Sequence, residues 1–278
     1  MPHAITPELM TALIGAYSSL GAHRTGSPAD EATSRWIIDW LGRRQVEART
    51  VAFPFPKLEC RAAQVEAGDS IVEGTPLYDG AATGSGGIEA PLVRGGSAAA
   101  GKIVLLDQPG PDEFVSLLDF ARGEGRPLGA VAVSGDPEGF VMLRNAERMA
   151  SRSPLPVLQI ARNDAASLMG IANTDHKVRL VIDSAVVPSQ ATNVVADIKA
   201  PASDGLVVVL TPKSGWFSCA AERGAGVAIT MALAARIAAI DERRKDVRVL
   251  FTSGHELGHC GLLDYFEQNP ELRNQAQL

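Results

Sequence analysis

The residues best suited to chemistry form the segment His255-Glu256-Leu257-Gly258-His259 near the end of the chain. Two imidazoles and one carboxylate within five residues are typical of a metal site. On a helix, His255 and His259 would share one face and could hold one Zn²⁺, with Glu256 as general base. The alternative is that both histidines are polar loop residues without a catalytic role.

The surrounding sequence favours a strand-end loop over a helical zinc motif. The β-branched, apolar run Val247–Thr252 precedes the histidines and predicts a strand. Gly254 and Gly258 would each cost a helix interior about 1 kcal/mol relative to alanine. We therefore expect a site loop at the carboxyl end of a strand, followed by a short helix around Leu262–Glu267.

Composition limits the class of protein. The chain has 278 residues, of which 46% are hydrophobic and 21% are charged, so it can form one large or two medium domains. Its net charge is −6 and its longest basic block is Arg243-Arg244-Lys245, so nucleic acid and anionic membranes are not expected as partners. Three cysteines give no disulfide framework, and the chain shows no targeting sequence or membrane-spanning run. These features predict a cytoplasmic protein.

The first and last parts of the chain carry the pattern of an α/β domain. Polar caps followed by proline predict helix starts at Thr6-Pro7 and Ser27-Pro28. A continuous apolar strand is predicted at Leu206–Thr211 and another central strand at Val247–Thr252, and an apolar helix at Gly226–Ile240 lies between them. Shorter strands are predicted at the following positions: Val46–Phe53, Val178–Ile182 and Asn193–Ile198. Ligand sites gather at the carboxyl ends of strands in such sheets, so the loops Pro212–Arg223 and Ser253–Gly261 are of most interest.

Residues 54–190 differ from the rest of the chain in sequence pattern, because glycine-rich turns there separate short predicted strands. We predict an α/β fold with a mixed, mostly parallel sheet flanked by helices, formed by residues 1–53 and 191–278. A small, β-rich α+β domain, residues 54–190, is predicted to be inserted into it.

Several segments in order resemble the di-zinc aminopeptidase-type peptidases, whose relatives include bacterial aminopeptidases, glutamate carboxypeptidase and the transferrin receptor. They are the strand Leu206–Thr211, the segment Glu222–Gly226 and the segment Phe251–Gly258. The resemblance implies a phosphorylase/hydrolase-like fold. The inserted region resembles a protease-associated (PA) domain, through the following segments: Gly101–Leu105, Gly129–Val133 and Leu155–Ile160.

The resemblance also implies a metal site and shows where this chain departs from it. The family uses two zinc ions, a bridging carboxylate and a glutamate base. Its His-x-Asp pair corresponds here to Thr211-Pro212-Lys213, and its bridging aspartate corresponds to Glu222. His255 stands at the position of the general base, and Glu256 at that of a ligand. The remaining two ligands are expected beyond Leu278.

Three functions follow as expectations. The first is a zinc-dependent hydrolase of small peptides or amides, with one rebuilt metal site of Glu222, His255, Glu256 and His259, in which His255 moves the proton. The second is a catalytically inactive binding or oligomerisation module. The third is a metal-free hydrolase in which a strand-end nucleophile is activated by one of the histidines; the candidates are Ser214, Ser218 and Cys219. Cys219 is interpreted either as a thiol whose pKa is lowered near a helix start or, as the favoured alternative, as a buried or inert thiol.

Three further features are open to interpretation. Trp216 and Phe217 are expected either to form an apolar wall for a substrate side chain or to pack as core or interface aromatics. His23 is expected to be a surface or capping histidine. A sheet that stops after Val247–Thr252 would leave an edge that relatives cover with further strands, so a homo-oligomer is expected as one way of covering it.

Overall fold

The computed structural model describes residues 4–95, 99–120, 126–146, 152–174 and 176–272, without the side chains at positions 111, 113, 115, 117 and 120. The chain divides into two compact units. Residues 1–57 and 188–278 form the first, and residues 58–187 form the second.

Polar caps determine where the first two helices of unit 1 begin. Thr6 accepts a hydrogen bond from the Leu9 N–H, and Ser27 accepts one from the Asp30 N–H; proline follows each cap. Both predicted starts are confirmed. The helices of this unit are α1 (Pro7–Ser19), α2 (Pro28–Gly42), α5 (Ala225–Ala238) and α6 (Cys260–Gln268).

The sheet of unit 1 places three strands side by side in the order β8-β10-β9. These are β8 (Lys177–Ile198), β9 (Leu206–Pro212) and β10 (Asp246–Thr252). β10 is antiparallel to β8 and parallel to β9. The parallel pair brings the carboxyl ends of β9 and β10 together, with the Lys213 N–H donating to the Thr252 carbonyl at 2.7 Å.

Apolar layers cover both faces of this sheet. On one face, α1, α2 and α5 bury a cluster whose largest members include Tyr17, Trp40 and Phe251. On the other face, Leu250 packs with Tyr265 of α6. Helices on both faces explain why the consecutive residues Val249, Leu250 and Phe251 of β10 are all apolar and buried.

The remaining elements of the chain are β1 (Ala48–Ala67), β2 (Ser70–Glu73), β3 (Thr75–Pro76), β4 (Gly84–Arg94), β5 (Ile103–Asp107), α3 (Pro111–Phe120), β6 (Gly129–Val133), β7 (Val157–Ile160) and α4 (Ala166–Ile171). Unit 2 has a sheet with the order β4-β5-β6-β7-β3, in which β4 to β7 are parallel and β3 is antiparallel. β8 also pairs with β4, and β2 pairs with β1. β1 and β8 contribute residues to both units.

The predicted fold class, a mixed and mostly parallel sheet flanked by helices, is confirmed. Two predicted strand bounds are wrong. The strand expected to end at Phe53 continues to Ala67, although Pro54 and Pro56 lack the N–H that a strand ladder uses. The strands expected at Val178–Ile182 and Asn193–Ile198 are parts of one strand, β8. In the described part of the chain, no helix has the length and apolar character needed to cross a membrane.

Candidate functional site

The candidate site lies at the carboxyl ends of β9 and β10, where two loops meet the segment before α2. One loop follows Pro212 and the other follows Thr252. Backbone hydrogen bonds hold the first loop to the segment near His23: Gly215 N–H donates to the His23 carbonyl, and His23 N–H donates to the Phe217 carbonyl. The two predicted site loops therefore lie where the strand order places them.

Glu256 sits in a single 3₁₀ turn, His255–Leu257, and not on an α-helix. Gly254 and Gly258 flank this turn with φ of 83° and 64°, a backbone region in which a side chain other than glycine is strained. The strand-end interpretation of this segment is therefore confirmed over the helical zinc motif. The predicted short helix follows as α6, which begins at Cys260.

Both carboxylate oxygens of Glu256 accept hydrogen bonds from other protein groups, and the residue is 1% exposed. Its Oε1 accepts from the Thr25 N–H at 3.0 Å and from the Thr25 hydroxyl at 2.6 Å. Its Oε2 accepts from the Ser214 hydroxyl at 2.7 Å. The Gly254 N–H lies 2.9 Å from both hydroxyl oxygens, which closes the network. Neutral donors thus satisfy both carboxylate oxygens within the protein.

A buried ion pair lies at the ends of the same two strands. Lys213 is 0% exposed, and its Nζ lies 2.5 Å from Oδ1 of Asp30 and 2.7 Å from the Ser253 hydroxyl. The Ser253 Oγ lies 2.7 and 2.9 Å from the two carboxylate oxygens of Asp30, and the Gly26 N–H donates to Oδ2 at 3.0 Å. Both charges are fully paired inside the domain.

The two histidines lie together at the outer side of the loop. His255 is half-buried and His259 is exposed; their Nδ1 atoms are 3.2 Å apart. Burial, with the positive charge of Arg223, lowers the pKa of His255 to about 4. His255 is therefore neutral at pH 7 and a weaker base than an ordinary imidazole.

Glu222 points into solvent beside its sequence neighbour. Its side chain is 62% exposed, and its carboxylate pairs with the Arg223 guanidinium at 2.7 Å. Arg223 itself is buried and donates to the Ser214 carbonyl at 3.0 Å. The structure thus brings His255 and His259 together, while Glu222 and Glu256 each bind other protein groups.

The nucleophile candidates differ from their expected roles. Burial raises the pKa of Cys219, so a lowered pKa is wrong and the alternative of an inert thiol, neutral at pH 7, agrees with the structure. The Ser214 hydroxyl donates to Glu256, so a carboxylate, and not a histidine, is its acceptor. Ser218 is exposed.

Two aromatic residues follow in the first loop. Phe217 is 41% exposed and Trp216 is partly buried. The carbonyl of Trp216 accepts from the Arg24 Nε at 3.2 Å, which holds this loop to the segment before α2. Phe217 therefore presents an apolar surface on a fixed backbone, and a substrate wall stays a prediction.

The expectation that His23 lies at the surface is wrong. It is 0% exposed, stacks on Tyr17 with ring centroids 3.8 Å apart, and lies 2.9 Å from the Thr33 hydroxyl through Nδ1. Among the described residues its Nε2 has no hydrogen-bond partner. Burial lowers the pKa of His23, which keeps the ring neutral.

Sequence reasoning missed the role of Thr25 and Asp30, which complete the two buried networks. They lie just before and within the first turn of α2, more than 180 residues before their partners. Their local signal was weak, because polar residues occupy most of the first half of α2 and neither residue stands out among them.

Comparisons with known proteins find no matching family model and no matching curated protein. Among solved structures, BSAP, a zinc aminopeptidase from Bacillus subtilis, matches with a TM-score of 0.78 and 16% identity over 97% of this chain. The chain shares the fold of this aminopeptidase. A peptidase M28 precursor from Shewanella amazonensis SB2B matches with a TM-score of 0.75 and 20% identity over 97% of this chain. An aminopeptidase from Aneurinibacillus sp. strain AM-1 matches with a TM-score of 0.64 and 15% identity over 95% of this chain.

The chain spans 66% of the BSAP chain, 69% of the Shewanella chain and 66% of the Aneurinibacillus chain. At these identities the likeness establishes the aminopeptidase fold alone.

The residues of this chain do not fit a zinc centre of the aminopeptidase type. Over the described ranges, no three His, Cys, Asp or Glu side chains are grouped so that they could hold a metal ion. Lys213, a cation, stands where the resemblance places an aspartate ligand, and both oxygens of Glu256 accept from neutral donors. The four predicted ligands are therefore not assembled around one point.

Proposed function

We propose that this chain is an aminopeptidase-fold protein that works without a di-zinc centre and acts by binding or assembly. The observation that carries this proposal is the buried ion pair of Lys213 and Asp30 at the ends of β9 and β10. The resemblance places a metal ligand at Lys213, and a buried ammonium repels a divalent cation placed beside it.

Energetics support this proposal. A charge pair this deeply buried is stable only with good geometry and further hydrogen bonds, and here Ser253 and the Gly26 N–H supply them to Asp30. Binding zinc would require Glu256 to give up its hydrogen bonds with Thr25 and Ser214. That exchange would leave buried hydroxyls without acceptors, at a cost of about 1–3 kcal/mol each.

The test is metal content measured by elemental analysis, together with hydrolysis assays, on protein purified without chelator or added metal. We expect less than stoichiometric zinc, and no turnover of aminoacyl, dipeptide or acyl-amide substrates above a blank. Zinc should not raise the unfolding temperature, because the described part of the chain offers no group of three metal-binding side chains that would bind it selectively in the folded state. Stoichiometric zinc, together with hydrolysis that disappears in Glu256→Gln, would refute the proposal.

A second candidate function is a hydrolase of peptide or amide bonds that depends on one zinc ion. The observation that favours it is the 3.2 Å separation of Nδ1 in His255 and Nδ1 in His259. Two ligands of tetrahedral zinc at about 2.0–2.1 Å have nitrogens about 3.3–3.4 Å apart. The low pKa of His255 also keeps its ring available as a neutral ligand.

Two variants separate the candidates. If zinc binds at the histidines, His259→Ala should lose it. Glu256→Gln should lose it only if Glu256 is also a ligand. If neither variant changes metal content, the binding or assembly function takes precedence.

Two expectations accompany the main proposal. We propose that residues 54–190 form a PA-like inserted module, which the four parallel strands β4 to β7 of unit 2 support. We also propose a cytoplasmic location, which the free thiols of Cys60, Cys219 and Cys260 support.

A further inference from the structure

The loop after β9 is attached to the chain before α2 by the residues around His23. Two of the bonds that hold residues 214–217 belong to the backbone of His23 itself. The hydrogen bonds between the two segments are the following: Gly215 N–H to the His23 carbonyl at 2.9 Å, His23 N–H to the Phe217 carbonyl at 3.0 Å, Arg24 Nε to the Trp216 carbonyl at 3.2 Å, and the Tyr17 hydroxyl to the Lys213 carbonyl at 2.9 Å. His23 therefore lies at the centre of the contacts that keep this loop in place.

The ring of His23 has a hydrogen bond at one nitrogen only. The Thr33 hydroxyl donates to the Ala29 carbonyl at 2.9 Å, so it is Nδ1 of His23 that donates to the Thr33 oxygen. The neutral ring thus carries its proton on Nδ1. Nε2 is a bare acceptor that has no partner within the described residues, and it is the nitrogen on which a second proton would be placed.

The charges that face this ring do not compensate for a second proton. Burial is the largest effect and lowers the pKa of His23, while the Tyr17 carbonyl of α1 and Asp30 of α2 raise it and Lys213 after β9 lowers it. Both carboxylate oxygens of Asp30 already accept hydrogen bonds from other groups. A protonated ring would therefore be a buried cation whose Nε2–H has no acceptor, and this costs free energy until the ring reaches water.

Movement of the ring is coupled to the strand-end site through the loop. His23 is 0% exposed, so its side chain reaches water only if the backbone that binds Gly215 and Phe217 also moves. Ser214 begins the loop, and its hydroxyl donates to Oε2 of Glu256 at 2.7 Å. Detachment of the loop would loosen this bond and give water access to the Glu256 carboxylate.

We propose that protonation of His23 detaches the 214–217 loop in acid, so that the strand-end site around Glu256 opens. The direction follows from linkage, because a ring that has reached water titrates near its ordinary pKa of about 6.5 and binds a proton more readily than the buried ring. The attached loop therefore has its full stability above about pH 6.5 and loses stability as the pH falls below it. This inference goes beyond the proposed function, because the loop would open whether the site binds a partner or a metal ion.

The experiment measures hydrogen exchange by NMR in the full chain, between about pH 7 and pH 5, for the two amides that hold the loop, His23 and Gly215. Each exchange rate, divided by the intrinsic rate at the same pH, gives the opening constant of the loop. We expect this constant to rise by up to tenfold per pH unit below about 6.5, because opening binds one proton. The amides of Val249 and Leu250 should stay more strongly protected at every pH, because β10 has a paired strand on each side.

Three variants identify the group that titrates. His23→Phe keeps an aromatic ring on Tyr17 but cannot bind a proton, so its opening constant should not depend on pH. Arg24→Met removes the bond to the Trp216 carbonyl and should raise the opening constant roughly twofold to tenfold at every pH, with the same pH dependence. His176→Phe is the matched control at an exposed position of unit 2, and it should behave like the unmodified chain.

A pH dependence that persists in His23→Phe overturns the inference. Loop amides that are as well protected as those of β10 at every pH also overturn it, because the loop then opens only when the whole domain unfolds. If His23→Phe fails to fold, NMR titration of the His23 ring in the unmodified chain keeps the test decisive. The loop must open with the midpoint of that titration, and a different midpoint refutes the coupling. Failure of the proposed function would show instead in metal content and hydrolysis.

Discussion

Replacing Lys213 by methionine tests the buried ion pair most directly. The variant keeps most of the apolar stem of the side chain but leaves the Asp30 carboxylate, 1% exposed, without its cation. Breaking a buried pair by removing one partner costs about 3–5 kcal/mol. Asp30 would keep the Ser253 hydroxyl and the Gly26 N–H as donors, so we expect the lower end of that range, about 3 kcal/mol.

The assay is urea unfolding followed by tryptophan fluorescence. All three tryptophans of the chain, Trp36, Trp40 and Trp216, lie in unit 1, so the signal reports the unit that contains the pair. A loss of about 3 kcal/mol is a large part of the 5–15 kcal/mol that stabilises a typical domain. The midpoint should therefore shift clearly to lower urea.

A matched control separates burial from charge. Lys199 pairs with Asp246 at 2.7 Å, but its side chain is 71% exposed. Lys199→Met should cost at most about 1 kcal/mol, because solvent screens an exposed pair. The double variant Lys213→Met with Asp30→Asn should cost less than the sum of its single changes, since it removes the uncompensated charge. If Lys213→Met and Lys199→Met lose a similar free energy of unfolding, the buried ion pair stabilises the domain no more than an exposed pair does, and the reasoning is refuted.

Three further predictions concern the loops around Glu256. Ser214→Ala should lower the free energy of unfolding in urea by about 1–3 kcal/mol, because it removes the only donor to Oε2 of Glu256 within the described contacts. As its control, Ser218→Ala at an exposed position should change the free energy of unfolding by less than about 0.5 kcal/mol. The pKa of His255 is about 4 in the folded protein and about 6.5 when unfolded, so the unfolded state binds the proton first as the pH falls. The free energy of unfolding should therefore fall as the pH drops from 6.5 towards 4. His255→Gln should make the free energy of unfolding less dependent on pH over this range. Gly254→Ala should lower the thermal midpoint by the equivalent of more than about 1 kcal/mol, because φ is 83° there; an unchanged midpoint would show that the turn can rearrange.

Local sequence determined the elements that carry the site. The caps at Thr6 and Ser27 and the apolar runs of β9 and β10 act over a few residues, so periodicity and cap chemistry were enough to predict them. Glycine at 254 and 258 excludes a regular helix across His255–His259, because both adopt positive φ. The strand-end position of the candidate site followed from these local signals alone.

The tertiary structure decided what the site residues do. Glu256 is held by Thr25, 231 positions earlier in the chain, and Lys213 by Asp30, 183 positions earlier. No local pattern encodes which donors a buried carboxylate meets. A composition of two histidines and two glutamates therefore predicted a metal site, while in the folded chain Glu222 pairs with Arg223 and Glu256 is enclosed by hydroxyls.

Burial explains the remaining differences. The types of His23 and Cys219 are compatible with either surface or core, and only packing makes His23 fully buried and raises the pKa of Cys219. Desolvation depends on every neighbour that excludes water, and those neighbours come from distant parts of the chain. The sequence by itself thus specified which strands and helices form and where their ends meet, whereas the protonation states and partners at that meeting point were decided by the tertiary packing.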